Sequence, residues 1–422
     1  MAIEIPEDES KYMYNFIDRI IKEVGPRIPC SEPEAQASEI IKEELKKTCD
    51  EVKIEPFTCH PRAFLGWIRI DILLIIASLL SYFFLIPLSP IGGAILALIP
   101  AFIAIIIAWF EFFNYDEFID RFFKEKPSQN VVGTIKPTGE GEIKKILIFS
   151  GHHDSALQFN LLRYLKHGYF IIIFLGLIIL FLWLALTSLN LIFTAASIVD
   201  RAWFDNWAIW LLIIGSPAFV GLFFFVSGDK RANTVPGAVD NLSAVAVVLG
   251  LGRYIKAHQE LIPQNTEIRL VSFGCEEAGL RGAYRYAEAH LDELKRLNAE
   301  DINMDGIMTT KNIMIIEKEP TTRTTHSKEV AEKLKQAAKA IDVPIKVFGG
   351  GLLALVASLS GGTDATAFSK SKVKAASLAS MELMKFPHFY HQPSDRLDMI
   401  EPGSLEVALK ILISYLKNES KS

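Results

Sequence analysis

The sequence lacks three features that would point early to a class. Its four cysteines, Cys30, Cys49, Cys59 and Cys275, show none of the short paired spacings of a thiolate metal site, so we expect them to be reduced or buried. The net charge is −5 and no basic patch is present, which argues against nucleic acid as a partner, because phosphate binding needs clustered Lys and Arg. The acidic N-terminal segment contains no apolar run of a secretory signal, so we expect it to stay where it is made.

Long hydrophobic runs are present. Hydrophobic residues make up 50% of the chain and charged residues 22%, which indicates a soluble body with lipid-buried segments. One block extends from Ile72 to Phe113, and a second covers 169–193 and 207–226. Uncharged runs of about 20 residues are rare in soluble cores. We therefore expect four transmembrane helices in two hairpins, with buried helices of a soluble protein as the alternative.

Charges beside these blocks indicate which side of the membrane holds the soluble part. Because each block forms a hairpin, all other residues would lie on one side. The opposite loops contain only Arg201, whereas the span ends on the soluble side carry Arg62, Arg69, Arg121, Lys124, Lys126, Arg163, Lys166, Lys230 and Arg231. The positive-inside rule therefore predicts a multi-pass protein with a cytoplasmic soluble domain. Aromatic residues from Trp109 to Phe123 predict an interfacial helix, with a core helix of the soluble domain as the alternative.

Outside the hydrophobic blocks, short apolar strands alternate with helices. After two helices within residues 10–48, the predicted strands are Val52–Phe57, Lys145–Ser150, Glu267–Phe273, Asn312–Glu317 and Ile345–Phe348, and the predicted helices are Ala244–Lys256, Gly279–Leu291 and Ser404–Lys417. This pattern predicts the α/β class, with a mostly parallel mixed sheet and helices on both faces, plus four transmembrane helices. In such sheets ligands bind beyond the carboxyl ends of the strands.

His152, His153 and Asp154 follow the strand at 145–150. Residues two apart on extended chain point to the same side, so Asp154 would steady His152 while the other ring nitrogen of this histidine binds a metal. His153 would point the opposite way, and the spacing leaves open which histidine binds. A loop cap is the alternative.

Two acidic sites precede helices. Asp240 lies in a turn before the helix at 244–256, where an acid is commonly a cap. Glu276 and Glu277 follow the strand at 267–273, where adjacent carboxylates repel each other unless a cation or a shared proton compensates. One of them can bind a metal while the other accepts a proton. An exposed acidic helix start is the alternative.

Asp305 and His391 complete the set, although each alone is an ordinary acid or histidine. Two imidazoles and three carboxylates can surround two ions that share one bridging carboxylate. This mixture of nitrogen and oxygen ligands suits zinc, with manganese or cobalt as alternatives.

An ordered series of motifs resembles metallopeptidase family 28, the co-catalytic zinc aminopeptidases with carboxypeptidase and glutaminyl cyclase relatives. The motifs are Gly25-Pro26-Arg27, GHHDS at 151–155, GAVDN at 237–241, EEAGLRGA at 276–283, NMDG at 303–306, GGTDATAF at 361–368 and YHQPSD at 390–395. Each motif alone is weak to moderate evidence, but the ordered set covers nearly all of the chain outside the hydrophobic blocks and is specific.

The resemblance implies which residues bind metal. His152 and Asp305 would bind one zinc ion, Glu277 and His391 would bind a second, and Asp240 would bridge the two.

It also implies the catalytic residues, whereas the two hydrophobic hairpins depart from the family pattern as insertions in the catalytic domain. Glu276 would be the general acid and base, and Asp154 would orient the histidine two residues before it. The catalytic domain would comprise 1–62, 127–165 and 229–422, the first hairpin with its interfacial helix 63–126, and the second hairpin 166–228.

The implied activity is that of a membrane-bound zinc-dependent exopeptidase, an aminopeptidase, which hydrolyses peptide substrates with a metal-activated water. A glutaminyl cyclase-like acyltransferase and a non-catalytic membrane scaffold on the same fold are the alternatives. A transporter would carry ionisable residues inside its spans, and these span interiors carry none. No pattern in the sequence indicates an oligomeric state.

Overall fold

The computed structural model describes residues 3–139, 141–349, 361–382 and 385–421. Its strands are β1 (Glu51–Cys59), β2 (Lys126–Ile135), β3 (Lys145–His152), β4 (Thr266–Phe273), β5 (Glu300–Ile307), β6 (Ile313–Ile316), β7 (Lys318–Glu319), β8 (Thr324–Thr325), β9 (Lys346–Phe348) and β10 (Lys374–Ser380). The two short strands β7 and β8 form a hairpin of their own, and the other eight form one sheet.

The large sheet has the strand order β1-β2-β4-β3-β5-β10-β6-β9. Its four central strands, β4, β3, β5 and β10, are mutually parallel. β1 and β2 extend one side as antiparallel strands, and β6 pairs antiparallel with β10 on the other. The predicted mixed sheet is therefore confirmed, and its parallel centre brings several carboxyl ends to one edge.

Helices cover the sheet and form the apolar segments. They are α1 (Glu7–Glu23), α2 (Glu32–Leu45), α3 (Ala63–Leu80), α4 (Pro90–Glu111), α5 (Asn160–Leu165), α6 (Gly168–Ala195), α7 (Arg201–Phe223), α8 (Asp229–Ala232), α9 (Ser243–Ala257), α10 (Arg281–Ala289), α11 (Leu291–Arg296), α12 (Lys328–Lys339), α13 (Ala365–Lys370), α14 (Phe386–Phe389) and α15 (Ser404–Glu419). Side-chain caps begin several of them. Ser31, for example, accepts a hydrogen bond from the Glu34 N–H at the start of α2.

Both faces of the sheet are buried under helices, as the sequence predicts. Alternate residues of β3 point into different cores because successive side chains of a strand face opposite ways. Leu147 and Phe149 pack in the core that contains α1, α9 and α15, whereas Ile146 and Ile148 pack in the core that contains α10. A strand that is apolar at every position is therefore buried on both sides.

Several elements differ from their predicted bounds. β5 and β10 are strands that the apolar pattern missed, so Asp305 lies in a strand rather than in a loop. The predicted helix Gly279–Leu291 begins later, at Arg281, and is followed by a separate helix, α11. Gly279 and Leu280 have positive φ angles of 96° and 65°, which a right-handed helix cannot contain.

The chain divides into two units. Residues 1–61, 125–158 and 229–422 form the unit that contains the sheet, and residues 62–124 and 159–228 form a helical unit. The sequence assigned 159–165 to the sheet domain, but these residues lie in the helical unit. The ring of Phe159 packs against Tyr169 and Phe225, which explains why the short α5 belongs with the long α6 that follows it.

Among the residues that the structure describes, five helices are long and apolar enough to cross a membrane: Ala63–Leu85, Pro90–Glu111, Gly168–Ala195, Arg201–Phe223 and Ala238–Ala257. The first four form the helical unit, and between 22% and 39% of their most apolar windows is buried. The fifth contains α9 and is 94% buried within the sheet unit, as expected for a helix that is apolar all round and packed in a core.

The predicted interfacial helix is wrong. α4 ends at Glu111, and beyond it the structure shows turns and one short 3₁₀ segment, Asp120–Phe122. The Glu111 carboxylate accepts hydrogen bonds from the N–H groups of Phe118 and Ile119. These bonds hold the aromatic stretch as a folded loop against the end of α4.

Candidate metal centre

Three neighbouring parallel strands carry polar side chains at the same edge of the sheet. β3 ends at His152, β4 leads into Glu276 and Glu277, and Asp305 lies near the end of β5. These positions agree with the rule that parallel sheets bind ligands beyond their carboxyl ends.

Asp240 lies between two histidines and presents one carboxylate oxygen to each. Its Oδ1 lies 3.2 Å from His152 Nε2, and its Oδ2 lies 3.3 Å from His391 Nε2. His391 Nε2 also lies 3.2 Å from Glu277 Oε1, and donor atoms of His152, Asp240 and Asp305 lie within 4.8 Å of one another. The structure thus brings the five predicted ligands into two groups that share Asp240.

Asp154 has two contacts that fix the shape of the cluster. Its Oδ1 lies 3.3 Å from His152 Nδ1, which agrees with the predicted orienting contact. The two carboxylate oxygens also accept hydrogen bonds from the backbone N–H groups of Glu276 and Glu277, at 3.1 and 3.0 Å. Asp154 therefore positions both a histidine and the turn that carries the glutamates. Glu276 Oε2 lies 3.7 Å from His152 Nε2.

Asp395 holds the turn around Asp240 in a similar way. It accepts hydrogen bonds of 3.1 Å from the Asp240 N–H and 2.7 Å from the N–H of the residue before it. The Asn241 amide then ties this turn to β5, because it donates to the Met304 carbonyl and accepts from the Gly306 N–H. The backbone on either side of Asp305 is fixed by these bonds.

Arg27 joins two of the loops from within the fold. Its buried guanidinium donates from Nε to the His153 carbonyl at 2.8 Å and from Nη1 to the Pro236 carbonyl at 2.9 Å. Burial lowers the pKa of Arg27 to about 10, and the carboxylates of Asp154 and Asp395 oppose this effect. One buried cation therefore links the segment after β3 to the segment before Asp240.

The structure also answers the question of which histidine faces the cluster. His153 points away, and its Nδ1 lies 2.9 Å from Ser272 Oγ. Burial lowers the pKa of His153 to about 4, so its ring is neutral at physiological pH.

Sequence reasoning missed three buried charged residues that interact with the cluster or its loops: Arg27, Asp364 and Asp395. Each of the three lies inside one of the motifs that resemble the family. A charged residue in such a motif, without an assigned role as a metal ligand, was the signal that could have identified them. Asp364 is 1% exposed, and neither of its oxygens has a hydrogen-bond partner in the described part of the chain. Burial raises the pKa of Asp364 well above its ordinary value.

The cluster contains more carboxyl groups than its two histidines can neutralise. Burial raises the pKa of Asp305 to about 8 and raises that of Glu276 well above its usual range, with Glu277 adding to the effect on Glu276. Burial would lower the pKa of His391, but Glu277 and Asp240 outweigh it and raise this pKa to about 9. Burial would raise the pKa of Asp240, yet the two histidines hold it below its usual value. Buried carboxyl groups in this excess must be compensated by bound protons or by a cation.

The donor set fits a divalent metal. Two ligand atoms bound to one tetrahedral zinc ion stand about 3.4 Å apart. The separations of 3.2 and 3.3 Å from Asp240 to the two histidines are close to this value. The buried His152 turns Nδ1 toward Asp154, whereas Nε2 faces the Asp240 carboxylate at 3.2 Å and is open to a metal. The residues present are therefore suited to hold a metal.

The chain is similar to known peptidases. The profile of peptidase family M28 matches residues 223–416 of this chain. The chain is also 29% identical to the aminopeptidase YwaD of Bacillus subtilis (strain 168) over 176 residues. That alignment covers 41% of this chain and 35% of the relative, so the chain matches about a third of the relative's length.

Solved structures show the same fold at low sequence identity. BSAP, a zinc aminopeptidase from Bacillus subtilis, superposes with a TM-score of 0.55 at 16% identity, and the match covers 99% of this chain and 96% of that one. A glutaminyl cyclase from an Acidobacteriales bacterium superposes with a TM-score of 0.53 at 15% identity, with 100% and 99% covered. The predicted fold is confirmed, and the match to the profile of peptidase family M28 agrees with the predicted resemblance.

Proposed function

We propose that this chain is a membrane-bound, zinc-dependent exopeptidase, an aminopeptidase that acts on peptides. The observation that carries the proposal is the position of Asp240, which offers separate oxygens to His152 and His391 at 3.2 and 3.3 Å. A carboxylate in this position is suited to bridge two ions. The similar aminopeptidases of Bacillus subtilis support zinc as the metal and a peptide as the substrate.

In this proposal, the cluster would hold two zinc ions. His152 and Asp305 would hold one ion, Glu277 and His391 would hold the other, and Asp240 would be shared between them. The grouping is supported by the separations between the donor atoms of these five residues.

The chain's own residues would then perform the proton transfers. Zinc supplies a Lewis acid that polarises the scissile carbonyl and lowers the pKa of water toward neutrality. Glu276 takes a proton from the attacking water and returns it to the leaving amine. Asp154 keeps Glu276 in place, because it accepts a hydrogen bond from the Glu276 N–H.

We also propose that the four helices of the helical unit span the membrane as two hairpins, with the sheet unit on the cytoplasmic side. Large apolar side chains point outward on these helices, among them Phe84, Ile171 and Ile213, which are 65%, 68% and 55% exposed. In water such a surface would drive association, whereas lipid accommodates it. The basic residues beside the span ends support a cytoplasmic sheet unit.

The function is tested with Glu276→Gln in detergent-purified protein. The side chain keeps its size but can no longer take a proton, so we expect metal content to stay at the wild-type level. Turnover of aminoacyl and peptide substrates should fall by about 10²–10⁴-fold. Turnover at the wild-type rate would contradict the role of Glu276.

Asp240→Asn tests the metal arrangement in parallel. We expect metal content, measured by elemental analysis, to fall, because a neutral amide cannot compensate two cations. Unchanged metal content would remove Asp240 from the bridge. One zinc ion rather than two at the histidine and carboxylate cluster, together with cyclisation of Gln-terminal peptides, would favour the glutaminyl cyclase alternative.

A further inference from the structure

Three cysteine thiols that are far apart in the chain meet beside the cluster described above. Cys30 precedes α2, Cys59 ends β1 and Cys275 follows β4. Cys30 Sγ lies 3.4 Å from the sulfur of Cys59 and 3.4 Å from that of Cys275. All three sulfurs lie within 4.8 Å of one another. We call this set the thiol triad.

The separations in the triad suit a shared cation better than a disulfide. A disulfide joins two sulfurs at about 2.05 Å, whereas Cys30 Sγ is equally distant, at 3.4 Å, from both of its neighbours. Pairing with either neighbour would leave the third thiol unused. Sulfurs bound about 2.3 Å from a tetrahedral zinc ion stand about 3.8 Å apart. The two separations from Cys30 Sγ reach this spacing if they lengthen by about 0.4 Å.

The surroundings of the triad hold its backbone in place. The buried Glu34 carboxylate accepts hydrogen bonds from the N–H groups of Cys30 and Cys275, at 2.8 and 2.9 Å, and from Ser128 Oγ at 2.9 Å. Glu34 Oε1 also lies 3.4 Å from Cys275 Sγ. Cys59 and Cys275 are fully buried, whereas Cys30 is partly exposed and offers a path of entry for an ion.

We propose that Cys30, Cys59 and Cys275 form a second metal site for a thiophilic divalent cation of the zinc type, separate from the histidine and carboxylate cluster. Three thiolates are ligands that this class of ion prefers. Cys275 immediately precedes Glu276 and Glu277, so an ion on the triad fixes the turn that carries both. The inference stands without the proposed peptidase activity.

Cobalt spectroscopy on the full, detergent-purified chain tests this site. Protein is purified under reducing conditions, stripped of metal and loaded with Co²⁺. Thiolate ligands give a near-ultraviolet charge-transfer band, which nitrogen and oxygen ligands do not. We expect the band in wild-type protein and in Asp240→Asn, and its loss in Cys30→Ser and Cys59→Ser. Cys49→Ser is the matched control and should keep the band, because Cys49 lies outside the triad.

Zinc content gives a second measurement that does not depend on activity. Cys30→Ser and Cys59→Ser should each contain one zinc ion per chain fewer than Cys49→Ser. Absence of the cobalt band from wild-type protein would overturn the proposal, whether or not the serine variants fold. A disulfide that joins Cys30 to Cys59 or Cys275 in freshly purified, unreduced protein, detected by mass spectrometry, would also overturn it.

Discussion

At the scale of single residues, two buried carboxylates shape the candidate centre without being predicted ligands. Asp154 accepts hydrogen bonds from the N–H groups of Glu276 and Glu277, and Asp395 accepts them from the Asp240 turn. In both cases the hydrogen bonds are made to the backbone of a turn that contains a predicted metal ligand, Glu277 or Asp240. The positions of those ligands therefore depend on acids more than 120 residues away in the chain.

We expect Asp395→Asn to weaken zinc binding by about 10- to 100-fold, the usual effect of losing a residue that orients a metal ligand. The asparagine side chain keeps one acceptor oxygen, but its amide would face an N–H group of the Asp240 turn. Competition with a chelator measures the affinity. Asp398→Asn is the control, because Asp398 lies nearby and is exposed. Equal zinc affinities in the two variants would contradict a positioning role for Asp395.

The sequence predicts the five candidate ligands because each lies in a motif at the end of a strand or beside a turn. It does not predict the function of Arg27, whose contacts are with carbonyl groups. The guanidinium of Arg27 donates to the backbone at His153 and Pro236, and a backbone acceptor exists at every residue. No pattern of residue types can therefore identify the partners before the fold is known.

At the scale of elements, the strands that were missed are those whose buried side chains are polar or small. In β5, Asp301 and Asn303 are both buried, and they contact Ser150 of β3. Ser377 of β10 donates in turn to Asn303. These hydrogen bonds across strands replace the apolar contacts on which the strand prediction depends. β3 and β4 were predicted because their burial is apolar.

Asp301 makes the stability of the sheet unit depend on pH. Burial raises the pKa of Asp301 to about 8, whereas an unfolded aspartate titrates near about 3.9. Between these values the folded chain binds a proton that the unfolded chain has lost. Folding stability from this residue is therefore full below the unfolded pKa and decreases as pH rises, by at most about 1.4 kcal/mol per pH unit.

We expect Asp301→Asn to remove this dependence. The neutral amide keeps an acceptor for Ser150 Oγ and does not ionise. Melting temperatures of metal-free protein, measured with chelator at pH 5 and pH 8, should show the variant gaining on the wild type as pH rises. Asp292→Asn, a substitution of an exposed acid, is the control and should leave the pH profile unchanged. A constant difference between Asp301→Asn and the wild type at both pH values would refute the expectation.

At the scale of the whole molecule, the two helical segments are inserted at loops of the sheet unit. One separates β1 from β2, and the other follows β3 before the turn that carries Asp240. Each insertion contains two long apolar helices, so if both helices cross a membrane the chain returns to the side from which it left. This parity, together with the charge bias, is why the sequence predicts one side for the entire sheet unit.

Cysteine labelling tests that topology directly. Ser89, before α4, and Ser197, between α6 and α7, are exposed and lie in the loops that should face away from the cytoplasm. With a membrane-impermeant maleimide on intact cells, we expect Ser89→Cys and Ser197→Cys to be labelled above the wild-type background. Ser420→Cys, just beyond α15, should be labelled only after permeabilisation. If Ser420→Cys alone reacts in intact cells, the sheet unit lies on the outer face. If Ser89→Cys and Ser197→Cys react differently from each other, one hairpin does not cross the membrane.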